Sequence, residues 1–216
     1  MKILFWLLAL AGCYSKNPNL ESNAMITKRE IILMCTEKED CKIMGGRTNG
    51  TASRILWKEE YYWLTAGHVC TSKFENSIVL ESKIEALVAG SGSIESTEII
   101  KVDHEKDLCL LKAKPNKTKD IGKHSPSPGD SVSAVAYPAG IFDAQILPIY
   151  DGRWSGRLAE NNKCLVTIPV SSGSSGAAVL NEKGEVVGVI SSVLRDFNHL
   201  TLISCHQDLL DFLESK

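Results

Sequence analysis

The chain has 216 residues, of which 44% are hydrophobic and 23% are charged, and its formal net charge is −2. This composition is ordinary for a globular protein and provides enough apolar residues for one large domain or two small ones. The near-neutral charge and the absence of any run of five like charges argue against a nucleic-acid surface or a polybasic membrane patch.

The N-terminal residues 1–12 are typical of a secretory signal, because Lys2 precedes an apolar stretch that is too short to span a bilayer. The stretch ends in Leu10-Ala11-Gly12-Cys13, which resembles the processing box of bacterial lipoproteins. That resemblance implies that Cys13 is lipid-modified and that the protein is exported and anchored to a membrane, facing the periplasm or the cell surface. An ordinary signal peptide cleaved nearby is the alternative.

Residues 13–24 are polar and predict a flexible tether. The short apolar or alternating runs that follow are typical of an all-β protein. A segment rich in proline and glycine, residues 115–130, separates them into two sets and predicts a linker. We therefore expect an N-terminal barrel over residues 25–114 and a C-terminal barrel with a terminal helix over residues 131–216, each antiparallel and of about six strands.

The predicted strands of the first set are 30–36, 50–57, 61–66, 77–80, 84–88, 98–102 and 108–113. Those of the second set are 131–137, 145–149, 156–159, 164–169, 177–180, 186–193 and 200–204. The clearest hairpin spans residues 177–193, because a turn sequence ending in Gly184 separates two apolar runs. A helix is predicted over residues 207–213, where three leucines share one face.

Three polar residues stand at the edges of apolar runs and suggest hydrolytic chemistry. His68 follows a buried run, Asp107 begins another, and Ser175 lies in a glycine-rich turn ahead of the hairpin. At such positions a rigid element would present each side chain. A hydroxyl, an imidazole and a carboxylate can together form a nucleophile, its base and the group that orients the base.

Each residue type fits a required role. A serine hydroxyl is a poor nucleophile at neutral pH, so His68 would take the proton of Ser175 during attack and return it to the leaving amine. Asp107 would fix the imidazole tautomer and stabilise the imidazolium. The oxyanion needs donors aimed at it, and glycine permits the unusual backbone that presents amides there. We assign the backbone N–H groups of Gly173 and Ser175 as the oxyanion hole.

The order His, Asp, Ser and the sequences TAGH at 65–68, DLCLL at 107–111 and GSSG at 173–176 resemble the trypsin-like serine peptidases over roughly residues 45–205. The resemblance implies the two-barrel chymotrypsin fold, a protein or peptide substrate and no cofactor. It places the nucleophile third in Gly-x-Ser-Gly, at Ser175. Ala177 departs from the usual Gly-Ser-Gly-Gly of the family. An α/β-hydrolase is disfavoured because it requires Gly-x-Ser-x-Gly and the opposite order of residues.

Three further segments resemble the bacterial high-temperature-requirement proteases: GDSV at 129–132, AYPAG at 136–140 and GEVVGV at 184–189. Many of those relatives carry an appended peptide-binding PDZ module. Because the chain stops at Lys216, directly after the predicted helix, we expect this module to be absent here.

By family position, the substrate-binding residues are those just before the nucleophile turn and those along the following strand. They are Pro169, Val170, Ser171, Ser172, Ser191, Ser192 and Val193. The strand would pair with an extended substrate backbone. None of these residues is acidic, so we expect cleavage after small or medium apolar side chains rather than after arginine or lysine.

Besides Cys13 the chain has six cysteines, and export makes disulfides plausible, but six cysteines allow 15 pairings. Many relatives link a cysteine just after the catalytic histidine to one upstream, so the resemblance suggests Cys35 or Cys41 as the partner of Cys70. Free thiols are the alternative for Cys109 and Cys164. No CxxC or His-x-His spacing suggests a metal site.

The leading hypothesis is therefore an exported, lipid-anchored serine endopeptidase. The alternative is a catalytically inactive lipoprotein on a protease scaffold, which would hold a peptide or protein partner in the groove without turnover. A purely structural envelope protein is a third possibility. Intact His68, Asp107 and Ser175 favour the enzyme, because a protein without catalysis has no chemical need for all three.

Overall fold

A computed structural model describes residues 20–35, 41–71, 77–138, 141, 146–159, 162–194 and 197–215. The predicted signal segment, the predicted lipidation site Cys13 and most of the predicted tether lie outside these residues. So do Ala139 and Gly140 of one of the family motifs.

Within the described ranges, the first half of the chain forms seven strands: β1 (Asn23–Cys35), β2 (Cys41–Trp57), β3 (Glu60–Thr65), β4 (Ser77–Val88), β5 (Ile94–Thr97), β6 (Ile99–Asp103) and β7 (Leu108–Lys112). The described part of the second half forms six: β8 (Ser131–Val135), β9 (Ile149–Arg157), β10 (Lys163–Val166), β11 (Ala178–Leu180), β12 (Val186–Leu194) and β13 (Phe197–Ser204). A 3₁₀ turn covers Leu20–Ser22, and the helices are α1 (Gly67–Cys70) and α2 (His206–Glu214).

The N-terminal half is one antiparallel sheet in the order β5-β4-β1-β2-β3-β7-β6. In the described residues it has seven strands, where about six were expected. The predicted runs 77–80 and 84–88 form one strand, β4, and β5 was not predicted; the chain breaks at Glu98 and sends β5 and β6 to opposite edges. Apolar residues that alternate along the strands fill the inner face, with Ile26, Trp63 and Leu111 fully buried. The prediction of an all-β protein is confirmed.

The C-terminal half is a closed barrel in the order β10-β13-β12-β11-β8-β9, so the prediction of six strands is confirmed here. Its core contains Trp154, Ile168 and Ile203. The predicted hairpin is formed by β11 and β12, and the predicted terminal helix by α2.

A single apolar core joins the two halves. It contains Ile55 and Leu64 from the first sheet, Val189 from the second barrel, and Leu209 and Phe212 from α2. The helix therefore packs across the boundary between the halves. In the described part of the chain, no helix is long and apolar enough to cross a membrane.

The connection between the halves contacts both of them. Lys119 forms a bridge with Ile55 in β2, and Ile121 forms one with Val186 in β12. The ring of His206 lies 2.7 Å from the carbonyl oxygen of Gly122. These contacts fix residues that the sequence predicted as a linker.

The folded domain begins earlier than predicted, because residues 20–24, assigned to the tether, belong to the 3₁₀ turn and to β1. The Lys119 amine donates to Ser22 Oγ at 2.6 Å and to Asn23 Oδ1 at 2.8 Å. Arg54 donates to the carbonyl oxygen of Glu21 at 2.9 Å. These polar contacts were invisible in the sequence because their donors lie far along the chain.

Lys119→Met is expected to remove a pH dependence of stability. Burial lowers the pKa of Lys119 to about 7. At a pH between this lowered pKa and the ordinary lysine pKa, Lys119 is protonated in the unfolded chain but not in the folded one. The free energy of unfolding therefore rises with pH in this window, by up to about 1.4 kcal/mol per pH unit. The same stability is lost as the pH falls through this window, and Lys119→Met should show neither change.

Urea denaturation at two pH values inside this window, for wild type and variant, measures the difference. Lys183→Met, at an exposed lysine, is the control and should keep the wild-type dependence. An unaltered pH dependence in Lys119→Met would refute the assignment.

Candidate active site

His68 and Asp107 form a hydrogen-bonded pair. His68 lies in the short helix α1 directly after β3, and Asp107 lies in the turn between β6 and β7. The imidazole Nδ1 is 3.0 Å from both carboxylate oxygens of Asp107, and the backbone N–H of His68 donates to Oδ1 at 2.9 Å. The arrangement fixes the orientation of the ring and leaves Nε2 as the nitrogen available for proton transfer.

Asp107 is mostly buried yet retains its charge. Burial would raise the pKa of Asp107, but hydrogen bonds from His68 and Ser191 outweigh this effect and hold the pKa below its ordinary value. The Ser191 hydroxyl donates to Oδ2 at 2.5 Å. A carboxylate in this state can stabilise a neighbouring imidazolium.

Ser175 lies in the predicted tight turn between two glycines in the left-handed region, Gly173 at φ 93° and Gly176 at φ 89°. Its hydroxyl donates to the carbonyl oxygen of Ser191 at 3.3 Å. Ser191 thus connects Ser175 to Asp107, since its hydroxyl bonds the carboxylate. The Ser175 hydroxyl is directed to Ser191 and not to His68, and catalytic hydrogen bonds often tighten only when substrate binds.

The turn that carries Ser175 packs closely against the segment that carries His68. A Cβ atom at Gly176 would lie 2.0 Å from Thr65 Oγ1 and 2.9 Å from the Ala66 nitrogen. A Cβ atom at Gly50 would meet Val69 Cγ2 at 2.6 Å and the Ser175 carbonyl oxygen at 2.9 Å. Glycine is therefore required at positions 50 and 176, where the Ser175 turn packs against the His68 segment.

The predicted oxyanion-hole amides, those of Gly173 and Ser175, donate to no backbone carbonyl within the described ranges. Thr51, which sequence reasoning missed, forms hydrogen bonds to the carbonyl groups of the same two residues. Its N–H donates to the Ser175 carbonyl at 2.8 Å, and its hydroxyl donates to the Gly173 carbonyl at 3.0 Å while accepting from the Tyr137 N–H at 2.9 Å. No sequence signal distinguishes this threonine from others in strands.

Ala177, the departure from the family pattern, is buried in the core of the C-terminal barrel. Its N–H donates to the Ser174 carbonyl at 3.0 Å, so the turn closes normally. The Ser174 side chain is buried, and its hydroxyl has no hydrogen-bond partner among the residues that the structure describes.

The predicted substrate-binding residues separate into two groups. The side chain of Val170 packs in the barrel core, and that of Ser191 bonds Asp107, so neither side chain is free to line a pocket. The others are exposed beside the turn and along β12: Pro169, Ser171, Ser172, Ser192 and Val193.

The disulfides correct the expected cysteine chemistry. Cys70 is bonded to Cys109 downstream, not to Cys35 or Cys41, which are bonded to each other. Cys109 and Cys164 were candidates for free thiols, but both are bonded, Cys109 to Cys70 and Cys164 to Cys205. The upstream partner was wrong because α1 packs against β7, where Cys109 lies, whereas β1 and β2 place Cys35 and Cys41 opposite each other.

The Cys70–Cys109 disulfide links the two elements that carry the histidine and the carboxylate. Cys70 is two residues after His68, and Cys109 is two residues after Asp107. Both cysteines are buried. The covalent link therefore restrains the separation of α1 and β7 close to the hydrogen-bonded pair.

A family model described as a trypsin-like peptidase domain matches residues 50–189, about two thirds of the chain. No curated protein matches the sequence. The fold is similar to that of the active form of the Rv3671c protease from M. tuberculosis, with a TM-score of 0.64 and 13% identity over 90% of this chain and 80% of that one.

Two more solved structures are similar. A serine endoprotease from Yersinia pestis has a TM-score of 0.64 and 19% identity over 90% of this chain, and the HtrA-type protease AlgW with a decapeptide has 0.67 and 16% over 88%. The matches cover 63% and 62% of those two chains. At these identities the likeness establishes the fold.

Proposed function

We propose that this chain, which belongs to the trypsin-like peptidase family, hydrolyses peptide bonds inside protein substrates through Ser175, His68 and Asp107. One observation carries the proposal: Ser191 bonds both parts of the candidate site. Its hydroxyl donates to the Asp107 carboxylate that holds His68 Nδ1, and its backbone carbonyl accepts from the Ser175 hydroxyl. Family membership supports the reaction class, and the His68–Asp107 pair supports the roles of base and orienting carboxylate.

In this proposal His68 Nε2 accepts the Ser175 proton as the hydroxyl attacks the scissile carbonyl. Asp107 holds Nδ1–H and stabilises the imidazolium that results. The N–H groups of Gly173 and Ser175 donate to the oxyanion, and His68 then returns the proton to the leaving amine. Water repeats the sequence on the acyl-enzyme and releases the acid product.

Ser175→Ala should lower kcat for a protein substrate such as casein by about 10⁴-fold or more, because the nucleophile is removed. Ser174→Ala is the matched control. It removes the hydroxyl of the adjacent serine, which has no hydrogen-bond partner among the described residues, and should leave activity near the wild-type level. Equal activity in Ser175→Ala and wild type, with both folded, would contradict the proposal.

The exposed predicted substrate-binding residues carry no negative charge, since they are serines, a proline and a valine. We therefore propose cleavage after small or medium apolar side chains. A panel of fluorogenic peptides that differ at the residue before the scissile bond measures this preference. Fastest cleavage after arginine would refute it.

Export and a lipid anchor at Cys13 are also part of the proposal and depend on the sequence pattern at residues 10–13. Metabolic labelling with a fatty acid should label the wild type and not Cys13→Ala. Equal labelling of both proteins would place the lipid elsewhere, and no labelling of either would remove it from the proposal.

A further inference from the structure

The carbonyl oxygen of Lys106, the residue before Asp107, accepts hydrogen bonds from two side chains of the C-terminal barrel. The Lys163 amine donates to it at 2.8 Å and the Ser204 hydroxyl at 2.5 Å. Lys106 itself belongs to the turn between β6 and β7 of the N-terminal sheet. The donors therefore reach across the boundary between the two halves of the molecule.

Lys163 and Ser204, called the donor pair below, lie in a rigid part of the barrel. Lys163 in β10 and Ser204 in β13 are direct partners across neighbouring strands of the closed barrel. The residues that follow them in the sequence, Cys164 in β10 and Cys205 directly after β13, form a disulfide. The spacing of the two donors is thus set by the sheet and by a covalent bond.

The bonded carbonyl belongs to the peptide group that leads into Asp107. Asp107 has φ 56°, in the left-handed region that residues other than glycine rarely adopt. Rotation about the N–Cα bond of Asp107 moves the carboxylate relative to the plane of the Lys106–Asp107 peptide group. The direction of the side chain therefore depends on how that plane is held. Two donors on the Lys106 carbonyl hold it on one side, while His68 and Ser191 hold the carboxylate on the other.

We propose that Lys163, acting with Ser204 through the Lys106 carbonyl, is a positioning residue that keeps the Asp107 carboxylate directed at His68. This inference rests on the proposed function for its effect on turnover. It assigns a contribution to turnover to a lysine that bonds the carbonyl oxygen of Lys106 and that no motif in the sequence identified.

The electrostatic surroundings agree with this role. Burial lowers the pKa of Lys163, while the carboxylates of Asp107, Asp208 and Asp103 act in the opposite direction. A half-buried ammonium that donates to a carbonyl and interacts electrostatically with these carboxylates is a favourable arrangement. The hydrogen bond and the carboxylates together offset the cost of desolvating the ammonium.

The test compares Lys163→Met, which removes the donor, with Lys163→Arg, which keeps a charged donor. Steady-state kinetics on a fluorogenic peptide give kcat and KM. The low-field proton NMR signal of His68 Nδ1–H reports the hydrogen bond to Asp107 without requiring turnover. Lys183→Met, an exposed lysine on the turn between β11 and β12, is the control.

We expect Lys163→Met to lower kcat by about 10- to 100-fold, because misplacement of a catalytic group by about 1 Å has effects of this size. KM should change less than about twofold, since Lys163 is not among the predicted substrate-binding residues, and the NMR signal should weaken or shift. Lys163→Arg should restore both. A wild-type kcat and an unchanged signal in folded Lys163→Met would overturn the proposal, as would loss of stability with no effect on either.

Ser204→Ala provides a second variant if Lys163→Met fails to fold, because it removes one oxygen from the same contact. A several-fold lower kcat and a shifted His68 signal are expected, and the absence of both overturns the proposal. The failure of the proposed function would look different. Wild type would then lack turnover altogether, and the NMR comparison alone would decide whether the donor pair positions Asp107.

Discussion

Asp107→Asn is expected to lower kcat by about 10⁴-fold while the fold is retained. The carboxylate accepts three hydrogen bonds, from His68 Nδ1, from the His68 backbone N–H and from the Ser191 hydroxyl. An asparagine has only one acceptor oxygen, and its NH₂ group would face a donor. His68 would then favour the tautomer with the proton on Nε2, which cannot accept the proton of Ser175.

Asp103→Asn is the control for this prediction. Asp103 lies four residues earlier and pairs with Lys106 at 3.0 Å, so it carries a similar charge near the site without orienting the imidazole. Its loss should cost less than about tenfold in kcat. Similar losses in both variants would indicate a general electrostatic effect, and a kcat within tenfold of wild type in Asp107→Asn would contradict the assigned role.

Gly176→Ala is expected to lower the free energy of unfolding by about 3–5 kcal/mol and to abolish activity in any protein that folds. The new Cβ would lie 2.0 Å from Thr65 Oγ1 and 2.2 Å from the Thr51 carbonyl oxygen, at a φ of 89°. Because Gly176 follows Ser175, relieving this overlap must move the nucleophile away from the His68 segment.

Gly184→Ala separates the two causes of this effect. Gly184 has a similar φ of 78°, but no atom lies within 4 Å of the position its Cβ would take. In Gly184→Ala the free energy of unfolding should therefore fall only by the conformational cost of the positive φ, about 1–2 kcal/mol. Chemical denaturation of both variants measures the difference. Equal destabilisation would show that close packing at Gly176 contributes nothing.

The architecture was predictable wherever local periodicity determines structure. Alternating apolar runs around the turn before Gly184 predicted the hairpin of β11 and β12, and the leucine spacing predicted α2. The split of residues 94–103 into two edge strands was not predictable, because it depends on which strands of the N-terminal sheet they join. The predicted tether likewise extends too far, over residues 20–24, because distant residues hold this segment in the fold.

In the candidate site, the sequence identified residues whose side-chain chemistry is restricted and missed those that are restricted by geometry. A nucleophile, a base and a carboxylate need particular side chains, so His68, Asp107 and Ser175 stood out. Thr51 and Lys163 donate to backbone carbonyls, which many other donors could also do. The Cys70–Cys109 pairing likewise follows from the packing of α1 on β7, which no spacing of cysteines reveals.

The most direct measurement is the site of covalent attachment of a fluorophosphonate, identified by mass spectrometry after digestion of the folded protein. The reagent reacts with a serine hydroxyl only when a neighbouring base activates it and an oxyanion site accepts the new phosphonyl oxygen. We expect a single adduct on Ser175, absent in His68→Ala and in Ser175→Ala. A folded wild type that stays unmodified, or that carries the adduct on Ser171, Ser172 or Ser174, would contradict the proposed catalytic site.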